Sequence, residues 1–143
     1  MADAKQVVCI IDDDPSILIG FKRLMEAYGY DARVFASARE FLAAGLPAVL
    51  SAQPMQAGIP GADSCLIIDV AMPEMDGFQL QKELVRAGCK APIIFITALD
   101  IPAVRASAKR TNAAFFFRKP VDADALLDAV RRALTAESKA AIS

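Results

Sequence analysis

The 143-residue sequence contains no histidine. Histidine is the side chain that most often acts as a general base near neutral pH, and it is a common zinc ligand. Its absence excludes serine–histidine catalysis and the usual zinc sites. For the same reason, this 143-residue sequence cannot itself donate a phosphoryl group from a phosphorylated histidine.

Cysteine is scarce. The three cysteines, Cys9, Cys65 and Cys89, are odd in number and widely separated. Their spacing matches neither a zinc motif nor a redox motif. We expect them to be reduced, small core residues, which is typical of a cytoplasmic protein.

Long hydrophobic runs are also missing. No apolar segment approaches the roughly 18 residues of a membrane-spanning helix, and none follows basic residues at the N-terminus as in a signal peptide. Hydrophobic residues nevertheless make up 55% of the sequence, which argues against disorder. The sequence therefore predicts one soluble domain over residues 1–143, with no contact with a membrane.

Charge is nearly balanced overall but unevenly distributed. The net charge is −1. Residues 101–143 carry eight basic and four acidic side chains, whereas residues 1–100 carry eight basic and thirteen acidic ones. We interpret the basic C-terminal part as solvated surface and expect no direct binding of nucleic acid by this chain.

Short apolar runs alternate with helical patterns five times. The runs are predicted to be strands at 7–11, 31–35, 65–68, 93–96 and 114–117. The helical patterns cover 15–28, 37–44, 78–87, 101–110 and 123–137. Nearly continuous apolar strands joined by helices predict an α/β fold, with a parallel sheet between two layers of helices.

Residues 46–63 form the one irregular stretch, and they exceed the usual length of a helix–strand connection. We interpret them as an insertion that either extends the second helix or forms an ordered loop. Because they precede a strand, they are expected at the edge of the sheet opposite the ligand-binding edge. After the last helix only a short tail, 139–143, remains.

Reactive side chains follow four of the five predicted strands. Asp12 and Asp13 follow the first strand, Asp69 ends the third, Thr97 ends the fourth, and Lys119 follows the fifth. Ligands of open parallel sheets bind at this edge. Carboxylate oxygens suit Mg²⁺, lysine and threonine can contact a phosphoryl group, and a carboxylate can act as the nucleophile that forms an aspartyl phosphate.

Four segments together resemble the receiver domain of two-component response regulators. They are VVCIIDDDPS, CLIIDVAMPEMDG, IIFITA and FFFRKP. The resemblance covers a core of about residues 5–138, and the segments GFKRLMEAYGY, FASAREFL and KPVDADALL are most similar to the receivers of nitrogen-fixation and nodulation regulators. It implies a flavodoxin-like, doubly wound five-stranded sheet of order 2-1-3-4-5 with five helices, in three layers.

The resemblance also implies a role for each site residue. Asp69 would accept phosphate from a histidine kinase in a phosphorelay, so that the domain is a phosphoacceptor rather than a classical enzyme. Mg²⁺ would be bound by Asp12, Asp13, Asp69 and the backbone carbonyl of Ala71. Lys119 would hold the phosphoryl group, and Lys119–Pro120 would be a cis peptide bond. The switch residues would be Thr97 and Phe116, whereas Asp14 would cap the first helix.

The signal would pass to a partner through the fourth and fifth helices, or through a homodimer formed by the fourth helix, fifth strand and fifth helix. The alternative is a receiver-like interaction module that works without phosphorylation. A phosphatase of the haloacid-dehalogenase type would need its nucleophile after the first strand. In this sequence the isolated acid follows the third strand, so this function is disfavoured.

Gly77 is expected to relax the backbone where the third helix begins.

Overall fold

The structure is a computed structural model that describes residues 6–51, 64–99, 101–111 and 113–135. Its five strands are β1 (Val7–Ile11), β2 (Asp31–Phe35), β3 (Ser64–Asp69), β4 (Ile93–Thr97) and β5 (Phe115–Arg118). All neighbouring strands are parallel, in the order β2-β1-β3-β4-β5. The implied strand order is confirmed.

Among the described residues, each strand is followed by one helix, so that four helices connect the strands and a fifth follows β5, as expected. They are α1 (Pro15–Ala27), α2, α3 (Gly77–Arg86), α4 (Pro102–Arg110) and α5 (Ala123–Leu134). We use α2 for three consecutive helical pieces: Ala38–Glu40, a π-helical segment at Phe41–Gly45, and Leu46–Ser51. The second helix therefore extends into the stretch that we interpreted as an insertion. Residues 52–63 and the tail 139–143 lie outside the described residues.

The two faces of the sheet carry separate hydrophobic clusters, which makes the fold a three-layer one. On one face, strand residues pack against α2 and α3, with Phe41, Leu80, Leu84 and Phe95 among the most buried side chains. On the other face they pack against α1 and α5, with Met25, Leu126 and Val130 fully buried. Strands buried on both faces explain why their sequences are almost continuously apolar.

Local signals set the helix ends. Asp14 caps α1 by accepting a hydrogen bond from the backbone N–H of Ser16, and Pro15 occupies the first turn. Asp76 and Gln79 form a capping box at the start of α3. In contrast, α4 begins after Ile101 without a side-chain cap and buries no residue. Among the described residues, no helix combines the length and apolar character needed to cross a membrane.

Replacement of Phe95 by alanine tests the core. The Phe95 ring is fully buried and meets Phe78 edge-on, with ring centroids 4.9 Å apart. We expect Phe95→Ala to lower the free energy of unfolding by about 3–5 kcal/mol, because it removes a large buried side chain and leaves a cavity. Ile19→Ala, at a side chain that is 54% exposed, is the control and should change it by less than about 0.5 kcal/mol. Equal effects in urea titrations would contradict this packing.

Candidate functional site

The predicted site residues meet at the carboxyl edge of the sheet. Asp12 follows β1, Asp69 ends β3, Thr97 ends β4, and Lys119 follows β5. Because β1, β3, β4 and β5 are consecutive neighbours in the sheet, residues far apart in sequence lie at one edge. This is also the edge where the strand order reverses, between β1 and β3, and where such folds bind ligands.

Three carboxylates form the acidic part of the site. Asp12, Asp13 and Asp69 each offer a carboxylate oxygen, and these oxygens all lie within 4.8 Å of one another. Asp12 is completely buried and Asp69 is 2% exposed, whereas Asp13 is exposed. Like charges this close, with little solvent around two of them, repel strongly unless a cation or a proton joins them.

Lys119 provides the positive charge among these acids. Its Nζ lies 2.9 Å from Oδ2 of Asp12 and 3.6 Å from Oδ2 of Asp69, and its side chain is 17% exposed. Its backbone N–H donates to the carbonyl of Thr97, with 2.7 Å between nitrogen and oxygen. The peptide bond between Lys119 and Pro120 is cis, as predicted.

The balance of charges shows in the pKa values. Burial, followed by the neighbouring Asp12 carboxylate, raises the pKa of Asp69 to about 7, against the lowering effect of Lys119. For Lys119, burial acts to lower the pKa, but the nearby carboxylates of Asp12 and Asp69 outweigh it and the pKa is raised. One ammonium group therefore leaves the two buried carboxylates only partly compensated.

The donor set fits a divalent cation. Oδ1 of Asp12 accepts a hydrogen bond from the backbone N–H of Asp14 at 2.8 Å. Its buried Oδ2 is paired with the Lys119 ammonium, 2.9 Å away. A buried carboxylate with one monovalent partner, beside two further carboxylates, supplies the kind of hard oxygen ligand that Mg²⁺ selects.

Thr97 ends β4, and Phe116 lies in β5. Thr97 is fully buried, and its Oγ1 accepts a hydrogen bond from the backbone N–H of Leu99 at 2.9 Å. Phe116 is partly buried against the face covered by α2 and α3, whereas Phe115 and Phe117 stack on the opposite face. The amide of Leu99 was not predicted, because a backbone donor leaves no mark in the sequence.

Gly77 has a different role from the one we expected. Its φ is not positive, so it does not relax an unusual backbone. A Cβ at this position would lie 2.6 Å from the carbonyl oxygen of Asp69 and 2.9 Å from Cα of Val70. The N–H of Gly77 also donates to the carbonyl of Val70. Glycine is needed here because α3 begins in direct contact with the backbone that carries Asp69.

A family comparison identifies the type of site. Residues 8–131 match the family model of the response regulator receiver domain. The chain belongs to this family. Receiver domains act in two-component signalling as phosphoacceptors, taking phosphoryl groups from histidine kinases, and they generally bind Mg²⁺ at an acidic pocket. In this chain, Asp12, Asp13 and Asp69 form a cluster of acidic residues.

Individual relatives agree with this assignment. The response regulator protein TodT of Pseudomonas putida is 36% identical over 135 residues, which cover 94% of this chain and 53% of that protein. Nodulation protein W of Bradyrhizobium diazoefficiens is 34% identical over 139 residues, covering 96% and 55%. FixJ of Azorhizobium caulinodans is 33% identical over 128 residues, covering 89% and 54%. The expected similarity to nitrogen-fixation and nodulation regulators is therefore confirmed.

A solved structure extends the agreement to the fold. The response regulator StyR superposes with a TM-score of 0.74 at 34% sequence identity, covering 95% of this chain and 62% of that one. This receiver domain thus spans about half the length of the curated relatives it matches.

The contact at Gly77 gives a testable prediction for this receiver domain. Gly77→Ala should lower the free energy of unfolding by about 1–3 kcal/mol, because the new methyl group overlaps backbone that cannot move freely. Gly20→Ala in α1 is the control, since a Cβ there meets nothing within 4 Å, and it should stabilise the domain by about 0.5–1 kcal/mol. Thermal unfolding measures both, and a Gly77 variant as stable as the wild type would refute the steric argument.

Proposed function

We propose that this domain accepts a phosphoryl group on Asp69 from the phosphohistidine of a histidine kinase. The observation that carries the proposal is the position of Asp69, an almost fully buried carboxylate that lies 3.6 Å from the Lys119 ammonium and within a cluster of three acids. A purely structural carboxylate would gain nothing from two acidic neighbours. The sequence contains no histidine, so the donor histidine lies outside these 143 residues.

In the transfer, a carboxylate oxygen of Asp69 attacks the phosphorus atom. The P–O bond forms as the P–N bond of the donor breaks, and the electron pair of that bond returns to the imidazole. The Lys119 ammonium faces the same carboxylate and pairs with an oxygen of the incoming group. It thereby offsets the repulsion between the carboxylate and an anionic phosphoryl group.

Mg²⁺ fits the same proposal. Asp12, Asp13 and Asp69 would hold it with the backbone carbonyl of Ala71. When bound, the ion would neutralise charge on the transferring phosphoryl oxygens. The buried Asp12 supplies a fixed oxygen whose orientation is set by the amide of Asp14, and the exposed Asp13 supplies one at the solvent side.

Phosphorylation would shift the population between two arrangements of the domain. Thr97 and Phe116 are the proposed switch residues, and the face formed by α4, β5 and α5 is the proposed contact surface for a partner or for a second copy. The absence of buried residues in α4 supports a helix that can change position at little cost. A cytoplasmic location is part of the same proposal.

Phosphorylation in vitro tests the function. Incubation with acetyl phosphate and Mg²⁺ should add one phosphoryl group to the wild type, whereas Asp69→Asn should accept none, because the amide lacks the nucleophilic oxygen. Intact-protein mass spectrometry measures the addition. Asp128→Asn is the control, since Asp128 is paired with Arg131 and Arg132 in α5, outside the acidic cluster, and it should be labelled like the wild type.

Two results would contradict the proposal. If the wild type gains no phosphoryl group, the interaction module that works without phosphorylation becomes the better account. If Asp69→Asn is labelled as fully as the wild type, Asp69 is not the acceptor.

A further inference from the structure

An open groove separates the start of α3 from α4. Its volume is about 480 Å³, which lies within the range of clefts that bind ligands. Met72 and Phe78 line it on the side of α3, and Ala103 and Val104 line it on the side of α4. The ring of Phe78 also packs edge-on against the buried Phe95. The wall on the side of α3 is therefore joined to the hydrophobic core.

The segment on the other side of the groove exposes apolar surface. The helix α4 buries no residue and has no side-chain cap. Just before it, Leu99 and Ile101 are 47% and 48% exposed, and Leu99 lines the groove. Neighbouring apolar side chains that remain in contact with water, at the rim of an apolar groove, are typical of a surface that binds another protein.

The two sides of α4 differ in charge. The side towards β5 carries Arg105 and Lys109, which line a separate cleft together with Phe116. The side towards α3 contributes only uncharged residues to the groove, namely Ala103, Val104 and Ser107. Among the described residues that line the groove, Asp76 is the only charged one. The groove is therefore apolar with a single negative charge.

The charge of Asp76 is not neutralised by the described part of the chain. Oδ1 of Asp76 accepts a hydrogen bond from the backbone N–H of Gln79 at 2.8 Å, and no described lysine or arginine pairs with this carboxylate. At another point of the groove, the backbone N–H of Ala71 donates to Oδ1 of Asp69 at 3.3 Å, so the groove borders the acidic cluster. Both features favour an occupant that is positively charged.

We propose that this groove binds an amphipathic helix of a partner protein, with leucine-like side chains on one face and lysine or arginine beside them. An open apolar groove between two helices accepts the apolar face of a third helix. The cationic side chains of that helix would pair with Asp76 and lie towards the acidic cluster. The surface is separate from the α4–β5–α5 face, and its binding does not depend on phosphorylation of Asp69.

Binding of a defined helical peptide tests the proposal. The probe is a peptide of leucine and lysine whose leucines share one face, and its matched control has glutamate in place of every lysine. Added to the whole unphosphorylated chain, the leucine–lysine peptide should cause saturable shifts of the NMR amide signals of Phe78, Leu99 and Val104. The leucine–glutamate peptide should bind at least about fivefold more weakly, because Asp76 and the acidic cluster repel it.

Charge variants locate the binding site. Ala103→Lys should raise the Kd of the leucine–lysine peptide by about two- to fivefold, and Ala103→Glu should lower it by a similar factor, as for exposed ion pairs. Asp76→Asn should also raise the Kd by about two- to fivefold, and asparagine still caps α3. Ala106→Lys is the control, since Ala106 is exposed on α4 but does not line the groove, and it should leave the Kd unchanged.

Three results would overturn the proposal. If the peptide shifts the signals of Asp13 and its neighbours but not those of the groove, the acidic cluster alone binds it. If Ala103→Lys and Ala106→Lys have equal effects, binding follows the net charge and not the groove. If the signals of Leu99 and Val104 change with the concentration of the protein alone, a second copy occupies the groove instead of a partner helix.

Discussion

Two buried carboxylates, Asp12 and Asp69, share the single ammonium group of Lys119. The ammonium nitrogen lies 2.9 Å from one carboxylate and 3.6 Å from the other. Removing carboxylates from water is costly, and one cation repays that cost only in part. The exposed Asp13 adds a third negative charge to the cluster. Any further positive charge would therefore stabilise the site. The proposed binding of Mg²⁺ and the proposed phosphoryl transfer both depend on this shortage of positive charge.

The fold maintains this unfavourable arrangement through its backbone. Parallel pairing of β1 with β3 places the ends of these strands side by side. The close approach of Gly77 to the backbone of Asp69 fixes the start of α3, and the hydrogen bond from Lys119 N–H to Thr97 carbonyl ties the loop after β5 to the end of β4. The hydrophobic clusters on both faces of the sheet provide the stability that offsets the electrostatic cost.

Much of this architecture could be predicted from the sequence, because buried parallel strands and their helices leave strong patterns. The run Val7–Ile11 and the cap at Asp14 were located correctly, and the acidic, hydroxyl and lysine side chains at the strand ends indicated the site. The observed ends of the strands and helices differ from the predicted ends by one or a few residues. For example, β5 begins at Phe115 rather than at residue 114. The sequence does not decide whether α2 extends to Ser51, because alanine, leucine and proline in that stretch suit a helix or a loop.

Other features depend on contacts that a sequence does not record. Glycine is required at position 77 because the backbone of Asp69 and Val70 leaves no space for a Cβ. The sequence suggested a different reason, a relaxed backbone at the start of a helix, because it does not show this contact. The partner of Thr97 is a backbone amide, which every residue except proline possesses. In the π-helical segment at Phe41–Gly45, a Cβ on Gly45 would overlap the ring of Phe41, and the sequence does not show this contact.

The central claim, that Asp69 lies in a site short of positive charge, can be measured directly by NMR titration of its side-chain carboxyl carbon. The pKa of Asp69 is raised in the folded protein. Between about pH 4, near its ordinary pKa, and the raised value, the carboxyl group therefore keeps its proton in the folded protein but loses it in the unfolded one. In the presence of a chelator we expect an apparent pKa of about 7, which should fall by at least about one unit when Mg²⁺ is saturating. An apparent pKa near 4 that does not respond to Mg²⁺ would contradict the account.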